Sequence, residues 1–401
     1  MKSFYTIIFL ALLLFFSACT KDNSESGNAA NNSLVKLLPI EGTYFARSIG
    51  ELEDGSIIIS SVSETSGPAY ISRFALNGDF LWQIKLTGII QKLWHTQILT
   101  NGTIAAVGYG AGNDADECGI VILNEDGEIL KQHSFYDLSA QVDCIQLANG
   151  NLALLTNEGR LLIFDLDLNQ LFDKSYGGGN QGSLAEGFSG ALYLQCSLYS
   201  NNSDNFDFSS ITKLSPIDYE IVYQQTLFYP VVLSPSTIAL SSDDKTVIAS
   251  ARFSTGRDGN RGLTNTAFKP SNQEEYLTGP TLVVWQNDGE IANTKQLEIS
   301  GFPKNAYIKK VRSCLDGGYI LIGTCNINND QSLHSEYRIL LIKLNSALEL
   351  EWLKIPNTNS PALGDDVKEI STGYLICATH LSLNEFTRPV LFKTDFNGKI
   401  E

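Results

Sequence analysis

The sequence predicts an all-β fold made of repeated units, and three observations support this prediction. Short apolar runs rich in β-branched and aromatic residues recur along the chain. Asp-Gly, Asn-Gly and Gly-Gly turns separate these runs, and no segment after residue 34 shows an amphipathic helical period. Such turns between apolar runs are the strongest short-range signal of a β-hairpin. Residues 34–401 are therefore expected to form one β domain.

The repeated unit consists of a turn, an apolar run, a polar loop, a second apolar run, another turn and an alternating strand. LEDGSIIISSV with YISRFALNGDFLWQIKL is the first example, and seven such units follow one another. Their turns are marked by Gly55, Gly102, Gly150, Gly190, Gly318 and Gly373, and by SSDDK at 241–245 in the fifth unit. Spacings of 47, 48 and 40 residues between the first four glycines suit a four-stranded unit.

Seven units of four strands predict a seven-bladed β-propeller of four-stranded antiparallel blades. An irregular array of β-sandwiches is the alternative, but equal units with little linker between them favour a closed ring. The last unit ends in FKTDFNGKIE, one strand short of the others. Residues 34–40, LVKLLPI, precede the first full unit and are expected to supply that strand. An N-terminal strand would thus close the ring and remove an exposed sheet edge.

The first 33 residues have a different character. Lys2 is followed by an apolar run from Phe4 to Phe16, too short for a bilayer core of about 30 Å but typical of a signal peptide. FSAC, ending at Cys19, resembles the lipobox of bacterial lipoproteins, which implies cleavage after residue 18 and acylation of Cys19. An ordinary signal peptide with an incidental cysteine is the alternative. Residues 19–33 would then be the lipidated cysteine and a flexible tether.

Two further resemblances predict a location in the cell envelope. Lys21-Asp22 resembles the surface-export signal of lipoproteins in the Bacteroidetes group. CLDGGYILIGTC, LNGDFLWQIKL and FDKSYGGGNQGSL resemble the repeats of secreted Bacteroidetes propeller proteins, a likeness that spans nearly the whole mature chain. The repeats imply a propeller fold and secretion, and the lipobox adds a lipid anchor, so the expected location is the bacterial outer membrane, periplasmic or surface-exposed. They imply no activity.

Composition narrows the classes of partner. The net charge of -16 and the absence of any run of Lys or Arg argue against nucleic acid. The six cysteines after Cys19 form no C-x-x-C pair, so buried free thiols are expected rather than a metal site. No cofactor is predicted, and the protein is expected to be a monomer. Calcium binding by the acidic loop residues Asp114, Asp116, Glu117, Asp204 and Asp207 is left open.

The first candidate ligand face is the one that carries the long loops. Tight glycine turns share one face of a propeller, and the long segments collect on the other: 110–117, 201–207, 254–279, 326–336 and 357–366. Within 254–279, Arg257, Arg261 and Tyr276 are candidates for an anionic or sugar ligand. The alternative is a solvated loop paired with local carboxylates.

The second candidate is the mouth of the central channel. Five residues at the starts of strands near the axis are candidates there: Trp94, His95, Lys309, Asp365 and Asp366. A Trp beside a His can stack on a sugar ring, and core packing of Trp94 is the alternative. Trp82 and Trp352 follow turns and are expected to pack between blades.

The expected function is therefore a lipid-anchored binding or scaffolding module for a glycan or protein ligand. The rival is a propeller enzyme acting on polysaccharide, a lyase or a glycosidase, or a quinoprotein dehydrogenase. An enzyme needs two or more acid/base groups that converge at the channel. The four histidines fall in different units, so the sequence predicts no catalytic residue and favours a non-catalytic protein.

Overall fold

The protein is all-β. A computed structural model describes residues 35–39, 42–63, 67–110, 117–136, 142–156, 159–177, 181–198, 208–228, 231–232, 238–241, 246–253, 281–286, 293–296, 305–326, 337–358, 360–381 and 387–400. The described strands lie in one compact unit, Ser33–Glu401. No helix in these ranges is both long and apolar enough to span a bilayer.

The described strands form seven antiparallel sheets, each built from consecutive stretches of the chain. The first strand of the chain is β1 (Val35–Leu37). The first sheet contains β2 (Tyr44–Glu51), β3 (Ile57–Ser63), β4 (Ala69–Phe74) and β5 (Phe80–Leu86). The second contains β6 (Lys92–Ile98), β7 (Ile104–Tyr109), β8 (Glu117–Leu123) and β9 (Ile129–Tyr136). The third and fourth are β10 (Val142–Gln146), β11 (Leu152–Thr156), β12 (Arg160–Phe164), β13 (Gln170–Ser175), and β14 (Gln181–Glu186), β15 (Leu192–Leu198), β16 (Phe208–Leu214), β17 (Ile221–Phe228).

The remaining three sheets complete the fold. The fifth is β18 (Val231–Val232), β19 (Ile238–Leu240), β20 (Thr246–Phe253), β21 (Thr281–Gln286) and β22 (Asn293–Gln296). The sixth is β23 (Asn305–Ser313), β24 (Tyr319–Asn326), β25 (Tyr337–Leu344) and β26 (Leu350–Lys354). The seventh contains β27 (Ala362–Ile370), β28 (Gly373–His380) and β29 (Arg388–Thr394), with β1 beside β29.

Six of these sheets are four-stranded antiparallel blades, as the repeats predicted. One strand of each sheet contacts its counterpart in the next sheet, in the order β2, β6, β10, β14, β19, β23, β27, and β27 contacts β2. We call these seven the inner strands. This arrangement is that of a β-propeller, in which blades surround a central axis.

The fifth sheet differs from the prediction, since it has five described strands rather than four. Both β18 and β19 pair with β20, in the registers Val231↔Phe253 and Ile238↔Ala249. The two registers differ by three residues, so β18 and β19 do not pair with β20 as one continuous strand would. No glycine stands in SSDDK at 241–245, where the other units have their first turn glycine, and the prediction of a four-stranded fifth unit was wrong for that reason.

Residues 35–37 pair with the last long strand of the chain. Val35 is opposite Phe392 and Leu37 is opposite Val390. The Leu38 amide continues the pairing by donating to the carbonyl of Pro389 at 3.0 Å. Leu38 is completely buried in a cluster that contains Leu375 of β28 and Leu391 of β29. The segment is thus part of the last sheet through both its backbone and its core.

The core lies between neighbouring blades. One cluster joins the second and third sheets, with Val107 and Ile120 packed against Leu154 and Phe164. Trp82 and Trp352 pack between blades, which confirms the prediction. Trp82 donates its Nε1–H to the Glu125 carbonyl at 2.9 Å, and the Trp352 ring lies edge-on to Tyr374 with centroids 6.0 Å apart.

The cysteines from 118 onward are structural. All six are free and buried, as the sequence predicted: Cys118, Cys144, Cys196, Cys314, Cys325 and Cys377. Burial raises the pKa of the Cys196 thiol to about 12. These side chains therefore act as small apolar core residues.

Candidate functional site

A β-bulge interrupts four inner strands at the same point. The extra residues are Arg47 in β2, Trp94 in β6, Lys309 in β23 and Asp365 in β27. Each stands eight residues before a turn glycine with positive φ: Gly55, Gly102, Gly317 and Gly373. A bulge bends a strand and re-aims a side chain, and bulges are frequent next to functional sites. The repeat thus places polar residues at equivalent points along neighbouring inner strands.

Asp366 is the centre of the strongest charge network. Its carboxylate is fully buried and accepts two bonds from the Arg312 guanidinium, at 2.9 and 2.7 Å. Lys310 Nζ lies 3.7 Å away, and the Ile49 amide of β2 donates to the same carboxylate at 3.2 Å. Burial by itself would raise the pKa of Asp366, but the charges of Arg312 and Lys310 hold it well below its usual value. The network ties the sixth, seventh and first blades together.

Asp365 makes a second link across the same three blades. Its carboxylate contacts Lys309 Nζ and accepts a hydrogen bond from the Thr379 hydroxyl. The Thr379 oxygen in turn accepts the Ala46 amide of β2 at 3.0 Å. Because both carboxylate oxygens are engaged, Asp365 acts as a structural anion here.

His95 and Asp143 form a pair between β6 and β10. His95 Nδ1 lies 3.3 Å from Asp143 Oδ1, and Asp143 Oδ2 accepts the Leu184 amide of β14 at 2.8 Å. Burial lowers the pKa of His95 to about 4; the charges of Lys310 and Arg312 act in the same direction, and Asp143 and Asp366 oppose them. The imidazole is therefore neutral at pH 7, with its Nδ1 facing the Asp143 carboxylate.

This pKa predicts a pH dependence of stability. Since an unfolded histidine titrates near 6.5, the unfolded state binds the proton first, and stability falls as the pH drops from about 6.5 to about 4. We expect a loss of up to about 3 kcal/mol across this interval. Urea unfolding of wild type and His95→Gln at several pH values measures it, with His133→Gln on β9 as the control for loss of a histidine. An equally steep decline in H95Q would contradict the assignment.

A cavity of about 910 Å³ opens where the inner strands end. All seven inner strands contribute to its lining, which includes His95 and Asp143. Its carboxylates outnumber its cations: Glu51, Asp143, Glu186 and Glu369 against Arg312 and Lys368. Two apolar side chains at the turn tips of its rim, Phe188 and Leu315, are each 91% exposed.

Two rim carboxylates also fasten neighbouring blades. Glu186 accepts the Ala148 amide at 2.7 Å, and Glu369 accepts the Leu315 amide at 2.7 Å. Burial raises the pKa of Glu186, against the effect of the Ala148 bond. Burial likewise raises the pKa of Glu51, and the charge of Lys368 opposes it. The rim is therefore held by side chains that reach the turn of the preceding blade.

The cavity lies on the tight-turn face, opposite the face that the sequence favoured. The long loops 201–207 and 254–279 lie outside the described residues, as do Cys19, Arg257, Arg261 and Tyr276. So do Asp114, Asp116, Asp204 and Asp207, while Glu117 begins β8. Within the described ranges, no three His, Cys, Asp or Glu side chains are grouped as metal ligands would be.

The inner-strand candidates all lie near the axis, but they separate into two groups. His95 lines the cavity, whereas Trp94 stacks under Arg47, with the guanidinium carbon 4.6 Å from the ring centre. Sequence reasoning missed Arg47, Asp143, Lys310 and Arg312. Arg47 stands eight residues before the turn glycine of its unit, as the other bulge residues do, and this constant distance is a signal that identifies it. The next position, seven residues before the turn glycine, is Asp143 in the third unit and Lys310 in the sixth.

Comparisons with known proteins bear on the fold. No protein-family model and no curated protein matches the sequence. The solved structure of the Dos1 propeller aligns with a TM-score of 0.51 at 9% identity, over 92% of this chain and 82% of that chain. BBS1N, crystallised in complex with ARL6DN, aligns with a TM-score of 0.52 at 10% identity, over 92% and 99%. BamB from Moraxella catarrhalis aligns with a TM-score of 0.44 at 11% identity, over 90% and 98%. The Dos1 likeness shows the fold alone, a β-propeller.

Proposed function

We propose that this propeller is a binding module whose channel mouth, on the tight-turn face, holds a segment of a partner protein. The observation that carries the proposal is the cavity of about 910 Å³ with Phe188 and Leu315 exposed at its rim. Large apolar side chains that are open to water at the edge of a cavity are typical of interaction sites. The charged groups nearer the axis are engaged with one another, which favours a scaffold over a reactive centre.

The charge of the cavity specifies the chemistry of the partner. Carboxylates predominate in its lining, and the whole chain carries a net charge of -16. A segment with basic and apolar side chains complements such a surface, since its cations meet Glu51, Glu186 and Glu369 while its apolar groups cover the two rim residues. A glycan is the alternative ligand, stacked on Phe188.

We further propose that the ring has seven blades and that β1 closes it. The two short strands of the fifth sheet pair with the same strand, β20, so we interpret them as two parts of one interrupted inner strand. The pairing of Val35 with Phe392 supports closure by the N-terminal segment. Closure by chain ends in one blade removes a free sheet edge.

A proposal for the location rests on the first residues of the sequence. We propose that Cys19 carries a lipid anchor and that residues 20–33 tether the propeller to the outer membrane. The support is the apolar run that ends at FSAC and the polar stretch after it. Several acyl chains would hold the protein stably, whereas one chain would hold it only marginally.

Site-specific crosslinking tests the binding proposal. We expect a photoreactive residue at position 188 of the full chain to capture a protein through a basic, apolar peptide, identified by mass spectrometry. The control is position 217, because Ile217 is 89% exposed on an outer turn and does not line the cavity. Phe188→Ser with Leu315→Ser is expected to weaken binding of the captured peptide by about tenfold or more. Equal capture at 188 and 217 would contradict the proposal.

An enzyme acting on polysaccharide is the second candidate, and the His95–Asp143 pair favours it. His95 Nδ1 lies 3.3 Å from the Asp143 carboxylate, and a neutral imidazole beside a carboxylate is the arrangement of a general base. The pair also lines the cavity beside Arg312. Formation of new chain ends when polysaccharides are incubated with wild type, and its loss in His95→Gln, would support this candidate over the first.

A further inference from the structure

We propose a second binding site, at Arg47 and Trp94, that takes a carboxylate. It stands apart from the proposed function, because neither residue lines the cavity at the tight-turn face. Both are bulge residues, on the neighbouring inner strands β2 and β6. The guanidinium carbon of Arg47 lies over the Trp94 ring, 4.6 Å from the ring centre, which is a cation–π contact.

Arg47 differs from the other charged residues of the inner strands. Lys309, Lys310 and Arg312 are each paired with Asp365 or Asp366. Arg47 has no ion pair within the described part of the chain, and its Nε is buried without a hydrogen-bond partner there. Trp94 Nε1 is likewise buried without a hydrogen-bond partner among the described residues. Buried donors without acceptors are rare in native proteins and call for an explanation.

The electrostatics of Arg47 point to a missing anion. Burial lowers the pKa of Arg47, and the negative charge of Asp365 offsets only part of that effect. Asp365 is not free to pair with Arg47, because Lys309 and Thr379 occupy its oxygens. A second cation, Lys92, has its Nζ 5.4 Å from the ring of Tyr109, a residue that also interacts with Arg47. A bound anion would offset the cost of holding these charges.

The shape of the guanidinium selects a carboxylate. Its Nε is buried, so a ligand meets the two terminal amino groups, which form two parallel bonds with the two oxygens of a carboxylate. The Trp94 ring lies against the guanidinium, 4.6 Å from its carbon, and restricts its position. Such a carboxylate is carried by an acidic peptide or by a uronic acid sugar, and the experiment distinguishes the two.

The test uses the full chain with two probes, a hexaglutamate peptide and an oligogalacturonate, and two readouts, binding by calorimetry and melting temperature. One probe is expected to bind the wild type and to raise its melting temperature; which of the two binds identifies the source. Arg47→Met is expected to weaken that binding on the order of tenfold to a hundredfold. It should also raise the melting temperature without ligand, since an unpaired charge is removed.

Arg160→Met is the matched control. Arg160 has a carboxylate partner of its own, Asp173, at 2.7 Å on the outer part of the third blade. R160M is expected to bind the probe as the wild type does. Failure of both probes to bind the wild type, or equal binding by R47M, would overturn the proposal. A lower melting temperature of unliganded R47M would also overturn it, because Arg47 would then be a structural residue.

Discussion

Replacing Asp366 with alanine is expected to destabilise the protein by about 3–5 kcal/mol. The carboxylate is completely buried and compensates Arg312 and Lys310, so its removal leaves two cations near the axis without their anion. It also removes the acceptor of the Ile49 amide, which belongs to the next blade. Urea unfolding followed by circular dichroism measures the loss. Asp173→Ala is the control, since that carboxylate forms a more exposed pair with Arg160.

Loss of the Asp173–Arg160 pair should lower the free energy of unfolding far less, because surface salt bridges contribute about 0–1 kcal/mol. Equal destabilisation in D366A and D173A would therefore contradict the role of the network.

A pH series adds a second readout of the contribution of Asp366. Since the pKa of Asp366 is depressed in the folded state, the unfolded state binds the proton first. The contribution of Asp366 is fully present above its ordinary value of about 4 and is lost as the pH falls below it. The acid decline should be shallower in Asp366→Asn.

Leu38→Ala is expected to destabilise the protein by about 2–5 kcal/mol, the range for a large-to-small change at a fully buried site. Leu38 has no exposed surface and packs with Leu375 and Leu391, so the substitution leaves a cavity in the last blade. Its backbone bond to Pro389 remains, which restricts the effect to the lost side chain. Thermal and urea unfolding measure the change.

Leu37→Ala is the matched control for Leu38. Leu37 is the preceding residue and is 50% exposed, so its truncation should cost less than about 1 kcal/mol. A variant that lacks the pairing residues 35–37 should also aggregate, because β29 would present an unpaired edge. Equal effects of L37A and L38A would show that the segment does not belong to the core of the last blade.

Local signals made most of the fold predictable. Asp-Gly and Asn-Gly turns require a positive φ that glycine adopts without strain, and the turns at Gly55, Gly102 and Gly150 show φ of 79, 79 and 89°. These turns divided the chain into units, and the strand missing from the last unit pointed to residues 34–40. The fifth sheet was mispredicted because no glycine stands in SSDDK, at the position of the first turn of the other units, and because β18 and β19 pair with β20 in two registers.

The candidate site was predictable only in part. Trp94, His95, Lys309, Asp365 and Asp366 were chosen as candidates because they are polar or aromatic residues at the starts of apolar strands, and the structure places all five on inner strands. Their contacts were not predictable, because each links two blades that are distant in sequence. Asp366 and Ile49, for example, are 317 positions apart. The cavity on the tight-turn face was not predicted, since short turns carry no sequence signal of the space they enclose.

The bulges on β6, β2, β27 and β23 occupy four consecutive positions around the axis, and β10 and β14 continue without one. A ring of near-identical blades would offer an incoming molecule several rotated poses of equal energy. Here one arc carries an extra residue per strand together with most of the charge, so the rotational equivalence is broken. A ligand that enters along the axis therefore meets a surface with a single preferred orientation.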